Sequence, residues 1–199
     1  LTLTLISLAV VLTLACKPLY YLDIHALHIP ETTGYTISEI KANYDAVINY
    51  SLSFGNAPLE FPTFPMSESG RIHFKEVKNI FNLFKYMAIF GTLAGAVGIL
   101  RQRRKQSYGY LKLTAILTVA LPAIIGATVA LNWDWTFVAF HELAFNNDYW
   151  LFDPATDPVI NILPDAYFLH CAVMILVLVI LGSLICGLIY RRVQRKNVK

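Results

Sequence analysis

The chain has 199 residues, of which 56% are hydrophobic and only 15% are charged. This composition excludes an ordinary soluble domain and is typical of a polytopic membrane protein. The net charge of +3 comes from basic clusters that flank apolar runs, so it gives no reason to expect a nucleic acid partner.

Four apolar segments are candidate membrane spans, at about 1–19, 82–100, 113–131 and 167–190. The last three have the roughly 20 residues that a helix needs to cross a bilayer. The first is shorter, and we expect the sequence to begin inside it. A cleaved signal peptide is the alternative for this segment, but a retained helix fits the charge pattern better. The chain is thus predicted to be one α-helical polytopic membrane domain, with four transmembrane helices and a small extracellular cap of helix and irregular chain.

The basic residues predict the orientation of the spans. One basic cluster lies between the second and third spans and another follows the fourth, whereas 132–167 has six acidic residues and no Lys or Arg. By the positive-inside rule, both clusters and both termini are expected in the cytoplasm, and cap segments at about 20–80 and 132–166 outside the cell. The clusters consist of Arg101, Arg103, Arg104, Lys105 and Lys112, and of Arg191, Arg192, Arg195, Lys196 and Lys199.

The first cap segment has clear helix signals. Residues 36–39, TISE, match a capping box, and apolar residues then recur at helical spacing, which predicts an amphipathic helix over 37–52. Three prolines in 58–66 exclude a helix there. The stretch 67–70 is expected to break the chain again, before a helix that starts at about Arg71 and runs into the second span. The shared face of that helix consists of His73, Val77, Ile80, Phe81 and Phe84.

The second cap segment begins with Trp133 and Trp135, whose rings suit the headgroup level of a bilayer. If the next residues are helical, four of them form one stripe at spacings i, i+4, i+8 and i+11. These four are Phe137, His141, Phe145 and Asp148. The run 153–158, DPATDP, predicts two turns, and Pro164 is well placed as an early residue of the fourth span.

All five histidines lie on the expected outer side or at an outer helix end, and three interpretations compete. The first is that each is an isolated polar residue at the interface. The second is a metal site, for which His25 and His28 have helical i, i+3 spacing. However, His141 starts only half of an HExxH zinc motif, because Phe145 stands where the second histidine belongs. We therefore expect no metal and no cofactor.

The third interpretation is acid–base chemistry by His73 and His141. Both are expected near the outer interface, where a lipid ester carbonyl lies, and an imidazole there titrates near neutral pH and can transfer a proton. Glu68, Glu76 and Asp148 are candidates to orient one of the rings. The sequence has no GxSxG nucleophile elbow, which favours a nucleophile that the substrate brings.

Two motifs add a family resemblance. RIHFKEVKNIF (71–81) together with FHELAFNNDYWLFDPATDPVINILPDAYF (140–168) resembles the lipoprotein intramolecular transacylase family of Gram-positive bacteria, and the four-span pattern agrees. The resemblance implies a bacterial plasma-membrane enzyme with four helices and an extracellular cap. It also implies that His73 and His141 occupy the positions of the family's two catalytic histidines.

The resemblance further implies a substrate and a reaction. The substrate would be a diacylglyceryl lipoprotein in the outer leaflet of the plasma membrane, with a free α-amino group on its N-terminal cysteine. The enzyme would move the sn-2 acyl chain from glycerol to that amine and release a lyso-form lipoprotein. We expect the enzyme to be a monomer.

Residues around the two histidines are expected to support this reaction. Rigid rings, Phe152 among them, would confine the flexible glyceryl-cysteine. Asn146, Asn147 or a backbone N–H would stabilise the tetrahedral oxyanion, and the lack of Lys and Arg would favour the cationic amine. The candidate binding or supporting residues are Glu76, Phe140, Phe145, Asn146, Asn147, Asp148, Tyr149, Trp150 and Asp153.

Two other classes of function remain as alternatives. One is a non-catalytic membrane sensor or assembly protein whose cap binds another protein. The other is a transporter, which predicts ionisable residues deep in the spans, whereas Lys17, Lys85 and His170 all lie near an end of their spans.

Overall fold

The computed structural model describes residues 1–105 and 107–197, and the regular structure of these residues is entirely helical. This confirms the predicted fold class. The α-helices are α1 (Thr2–Ala15), α2 (Lys17–Ala26), α3 (Ile29–Thr33), α4 (Ile37–Leu52), α5 (Glu68–Arg104), α6 (Gly109–Leu131), α7 (Trp133–Ala144) and α8 (Asp165–Asn197), with a short 3-10 helix at Pro158–Ile162. Lys199, which the sequence places in the second basic cluster, lies outside the described residues.

Three helices, α5, α6 and α8, are long and apolar enough to cross a membrane, and α1 with α2 is a fourth candidate if the broken pair counts as one span. The sequence predicts a continuous helix for the first span, at about 1–19. The structure instead has a break at Cys16, between α1 and α2. Pro18 explains the interruption. It has no backbone N–H, and its ring would clash with the carbonyl group four residues earlier in a continuous helix.

The described residues form two compact units. One unit contains 1–13, 83–133 and 172–197, and the other contains 14–82 and 134–171. The first unit thus holds most of the apolar helix length. The second holds both sequence motifs and all the candidate site residues.

Close helix contacts stabilise the first unit. Gly91 of α5 lies so near Thr4 of α1 that a Cβ atom at position 91 would collide with the threonine side chain. Ser183 of α8 donates a hydrogen bond from Oγ to the carbonyl oxygen of Ala115 in α6, at 2.7 Å. Small residues and interhelical hydrogen bonds of this kind are how helices associate in a bilayer, where lipid is as apolar as the side chains.

The second unit has a buried aromatic core. The rings of Tyr20 and Tyr44 stack with centroids 3.7 Å apart, and Tyr167 meets both edge-on. Their hydroxyl groups are satisfied, because Tyr20 donates to the carbonyl oxygen of Ile162 and the Tyr44 and Tyr167 oxygens lie 2.9 Å apart. Buried tyrosines of this kind bury a large apolar area, and their hydroxyl hydrogen bonds fix how the rings are oriented. They tie α2, α4 and the start of α8 together.

The predicted amphipathic helix over 37–52 is confirmed as α4, with the same bounds. Its capping box is also confirmed. Thr36 Oγ1 accepts a hydrogen bond from the backbone N–H of Glu39 at 3.2 Å, and Glu39 Oε2 accepts from the backbone N–H of Thr36 at 2.9 Å. The box satisfies two donors that the helix itself leaves unpaired.

The predicted break at 67–70 is wrong, because α5 already begins at Glu68. Ser67 caps this helix through its Oγ atom, which accepts a hydrogen bond from the backbone N–H of Gly70 at 3.0 Å. A serine cap satisfies one of the free N–H groups of the first turn. The helix then runs without interruption to Arg104, as expected for an outer helix that continues into a span.

The second cap segment is helical only as far as Ala144, where α7 ends. Phe137, His141 and Phe145 share one face as predicted, but Asp148 lies beyond the helix, so its place in the stripe is wrong. The cause is local. Asn147 Oδ1 accepts a hydrogen bond from the backbone N–H of Tyr149 at 3.0 Å, and such side-chain bonds compete with helix formation.

The turns in 153–158 are confirmed. The carbonyl oxygen of Asp153 accepts from the backbone N–H groups of Thr156 and Asp157, and the carbonyl oxygen of Asp157 accepts from Ile160. Pro164 stands directly before the first residue of α8. These turns return the chain from α7 to the core of the second unit.

Candidate active site

His73 lies in the second turn of α5 and is buried, with 6% of its surface exposed. The rings of Phe145 and Phe152 meet it edge-on, with centroids 4.7 and 5.4 Å away. Its Nδ1 atom is buried and has no hydrogen-bond partner within the described part of the chain. A buried polar atom without a partner carries a cost of about 1–3 kcal/mol, which a ligand can relieve.

His141 lies in the last turn of α7 and is half-buried. Its Nδ1 atom is 2.7 Å from the carbonyl oxygen of Phe137, one turn earlier in the helix. A carbonyl oxygen only accepts, so Nδ1 carries the proton and Nε2 of the neutral ring keeps its lone pair. The local helix therefore fixes both the ring orientation and the basic nitrogen.

The structure brings the two histidines together, with ring centroids 6.1 Å apart and planes inclined by 31°. Burial, and secondly repulsion from His141, lower the pKa of His73 from 6.5 to about 4. Burial also lowers the pKa of His141, while its hydrogen bond to Phe137 acts in the opposite direction. Both imidazoles are therefore neutral at pH 7, the form in which a ring nitrogen can accept a proton.

Aromatic rings enclose His141. The centroids of Phe137, Trp150 and Phe140 lie 4.2, 4.7 and 5.3 Å from its own, and Phe145 lies at 5.7 Å. Phe145 thus touches both histidines. Of the rings proposed from the sequence as a confining wall, Phe140, Phe145 and Trp150 lie beside His141 and Phe152 lies beside His73, whereas Tyr149 is exposed.

Glu76 lies one turn after His73 and is held by Asn147. The Nδ2 group of Asn147 donates to Glu76 Oε1 at 2.9 Å, while the Oδ1 atom of Asn147 accepts from the backbone of Tyr149. Glu76 Oε2 is buried without a hydrogen-bond partner among the described residues. These two bonds fix the orientation of the Asn147 amide and commit one of its two Nδ2 N–H groups to Glu76.

The other acidic candidates do not orient the histidines. Glu68 pairs with Arg71 at 3.5 Å on the surface, and Asp153 accepts from the backbone N–H of Ala155 in a turn. Asp148 and Asn146 are exposed. The expectation that a carboxylate orients one of the rings is wrong for His141, because its Nδ1 atom uses a backbone carbonyl instead.

Sequence reasoning missed the link between the turns in 153–158 and the start of α5. Asp157 is buried, and its Oδ1 atom accepts from the backbone N–H of Ser67 at 2.8 Å. A Cβ atom at Gly70 would collide with that carboxylate and lie 3.2 Å from the Phe152 ring. The sequence signal for this contact is Gly70 itself, because a glycine in the first turn of a helix indicates that another group packs closely against the backbone. It does not indicate that this group is Asp157.

The described residues contain no group of three or more His, Cys, Asp or Glu side chains that could hold a metal ion. His25 and His28 also lose their helical spacing, because α2 ends at Ala26 and His28 has a left-handed backbone with φ of 51°. His25 and His28 therefore do not share one face of a helix.

The family model for the lipoprotein intramolecular transacylase Lit matches residues 1–168. No sequence among the curated proteins matches. In meso structures of the membrane integral lipoprotein intramolecular transacylase Lit from Bacillus cereus do match. One has 37% sequence identity and a TM-score of 0.95, and covers 98% of this chain and 91% of that chain.

Two further structures of the Bacillus cereus protein carry a single histidine replaced by arginine or by alanine. Both have 37% sequence identity to this chain and a TM-score of 0.89. The matches cover 98% of this chain in each case, and 88% and 89% of the Bacillus cereus chains. The fold and the sequence therefore agree with one family, and neither a sensor nor an assembly protein is favoured. The chain belongs to the lipoprotein intramolecular transacylase family, Lit, and its activity is intramolecular acyl transfer on a lipoprotein.

Proposed function

We propose that His73 and His141 form the catalytic centre that moves the sn-2 acyl chain of a diacylglyceryl lipoprotein to the α-amino group of its N-terminal cysteine. The observation that carries the proposal is the pair of neutral imidazoles, 6.1 Å apart inside one aromatic enclosure. The substrate supplies the nucleophile, so the protein needs only to move a proton and to stabilise charge.

His141 is the general base in this proposal. An α-amino group has an ordinary pKa of about 8, so at neutral pH it is mainly an ammonium ion that must lose a proton before it attacks. That first proton passes to solvent. When the neutral amine then bonds to the carbonyl carbon, the Nε2 lone pair of His141 takes the next proton from the nitrogen, and the carbonyl oxygen of Phe137 stabilises the imidazolium through its Nδ1–H. The same Nε2–H then returns the proton to the departing glycerol oxygen.

His73 is the neutral partner. Its low pKa makes it a weak base, so it contributes as a neutral hydrogen-bonding group of the reacting centre. The free Nδ1 atom is available to the substrate for this purpose. Two histidines with different environments thus have different tasks, a division that acid–base enzymes often use.

Confinement by the aromatic rings is the second catalytic effect in the proposal. Amine and ester belong to one molecule, so the remaining cost is to fold a flexible glyceryl-cysteine into a ring-like geometry. Holding reacting groups in near-attack geometry contributes several kcal/mol in favourable cases, up to about 7–11. Phe140, Phe145 and Trp150 are rigid, and they surround His141 from several directions.

We also propose that the site lies on the extracellular side of the plasma membrane, that the lipoprotein approaches from the outer leaflet, and that one copy of the chain suffices. The support for the orientation is the charge pattern. The basic clusters between α5 and α6 and at the end of α8 are cytoplasmic by the positive-inside rule, and 132–167 has no Lys or Arg.

The test is lyso-lipopeptide formation from a synthetic diacylglyceryl lipopeptide by purified enzyme in lipid vesicles, followed by mass spectrometry. His73→Ala and His141→Ala should each reduce the rate by about 10²–10⁴-fold, the range for loss of a general acid or base. His25→Ala is the matched control, because His25 is exposed in α2. Near-normal turnover by a folded His73 or His141 variant would contradict the two-histidine mechanism.

A further inference from the structure

The transition state of this reaction needs a hydrogen-bond donor at the ester carbonyl oxygen. When the amine nitrogen forms its bond to the carbonyl carbon, the π electrons move onto oxygen, and a donor aimed at that oxygen is worth about 2.7–4 kcal/mol in enzymes where one has been removed. His141 is not free for this task while its Nε2 atom carries the proton. Besides His73, other side chains of the enclosure can supply the donor.

The two asparagines expected for this task are only partly suited to it. Asn147 donates one of its two Nδ2 N–H groups to Glu76, and Asn146 is exposed. The backbone N–H groups of Tyr149 and Leu151 donate to Asn147 Oδ1 and to the carbonyl oxygen of Asp148. Asn147 therefore has one amide N–H outside these bonds for an oxyanion.

Trp150 carries a further side-chain donor, next to the proposed base. Its indole Nε1–H is buried, and no hydrogen-bond acceptor reaches it from the described residues. The indole centroid lies 4.7 Å from that of His141, with the planes inclined by 31°. An indole N–H only donates, so it cannot be satisfied by a cation or by another donor, and it matches a carbonyl oxygen or an oxyanion.

We infer that the Nε1–H of Trp150 holds the sn-2 ester carbonyl oxygen and stabilises it as it becomes an oxyanion. This assignment rests on the proposed function, because it places the reacting carbonyl beside His141. The unpaired N–H costs the free enzyme stability, and the substrate oxygen removes that cost, most of all when it is charged. Such a donor stabilises the transition state more than the ground state, as catalysis requires.

The complete reaction uses no further reactant. The amine nitrogen bonds to the sn-2 carbonyl carbon, its proton passes to His141 Nε2, and the carbonyl π electrons form the oxyanion at Trp150 Nε1–H. The oxyanion then collapses, the bond from the acyl carbon to the sn-2 glycerol oxygen breaks, and that oxygen takes the proton from His141. The products are an amide and a secondary alcohol.

Entry of the substrate is compatible with the packing. None of the twelve residues of α7, a fully described helix, is buried. Phe140 and Tyr149, on either side of the site in sequence, are exposed. These two rings are not among the buried residues that form the core of the second unit.

The experiment compares two substrates that differ only at the reacting oxygen. An sn-2 thionoester lipopeptide has sulfur in place of the carbonyl oxygen, and sulfur is a weak hydrogen-bond acceptor. The ratio of ester to thionoester rates therefore reports the donor directly. It also does not depend on the fraction of folded enzyme, because both substrates meet the same preparation.

We expect Trp150→Phe to reduce the ester rate by about 10²–10³-fold and to reduce the ester-to-thionoester ratio by about tenfold or more. A benzothienylalanine at position 150 keeps the indole shape with sulfur in place of the N–H, and should do the same without a packing defect. Trp135→Phe is the matched control, because that ring is 61% exposed, and it should leave the ratio unchanged.

An unchanged ratio in both Trp150 variants would overturn the inference, even if their rates fell, because Trp150 would then act only as a wall. An unchanged rate would overturn it as well. The proposed function fails by a different result, namely full activity of His141→Ala. The two failures are therefore separable.

Discussion

Burial of His73 predicts that the stability of the protein depends on pH in a way that one substitution removes. Its pKa is about 4 in the folded protein, against an ordinary value of 6.5. Because the folded value is lower, the unfolded chain binds the proton first as the pH falls. The contribution of His73 to stability is therefore complete above pH 6.5 and is lost as the pH falls towards 4.

The magnitude follows from the same two values. One pKa unit corresponds to about 1.4 kcal/mol, so complete protonation in the folded state costs about 3 kcal/mol more than in the unfolded chain. Between pH 7 and pH 5 the linkage relation gives a loss of about 2 kcal/mol in the free energy of unfolding. For a chain of this size that is about 4–8 °C in the unfolding midpoint.

The assay is thermal unfolding in detergent micelles at pH 7 and pH 5, for the wild type and for His73→Phe. Phenylalanine keeps an aromatic ring between Phe145 and Phe152 but does not titrate. We expect the variant to lose less stability than the wild type at pH 5, by about the 2 kcal/mol above. His25→Gln, at an exposed histidine of α2, should behave like the wild type. Equal pH dependence in the wild type and His73→Phe would refute the burial argument.

Three further predictions concern packing, orientation and metal. Gly70→Ala should destabilise the protein by about 1–3 kcal/mol and lower activity, because the new Cβ meets Asp157 and Phe152; Gly55→Ala, with no atom within 4 Å of its Cβ, is the matched control for both readouts. In a background without native cysteines, a membrane-impermeant thiol reagent should label Glu60→Cys but not Arg103→Cys in intact cells, and the opposite pattern would reverse the proposed orientation. Turnover should survive exhaustive treatment with EDTA or dipicolinate, since the described residues hold no cluster suited to a metal; loss that zinc restores would contradict this.

The sequence by itself determined the features that depend on local chemistry. Apolar length predicts membrane helices because each helix satisfies its own backbone hydrogen bonds in lipid. The capping box at Thr36 and Glu39 predicts the start of α4, since both bonds form within one turn. The motifs around His73 and His141 also point to the family before any contact is known. Each of these signals is contained in a short stretch of chain.

Only the tertiary structure decided which side chains share the site. Periodicity places His73 on one helix face and His141 on another, but it does not say that the two faces meet at 6.1 Å. The sequence predicts that the Asn147 amide stabilises an oxyanion, yet the fold commits one of its two N–H groups to Glu76. Conversely, the indole of Trp150 is left with a buried N–H beside His141. Hydrogen-bond partners distant in sequence compete for the same atoms, and only the packed chain settles which partner each atom receives.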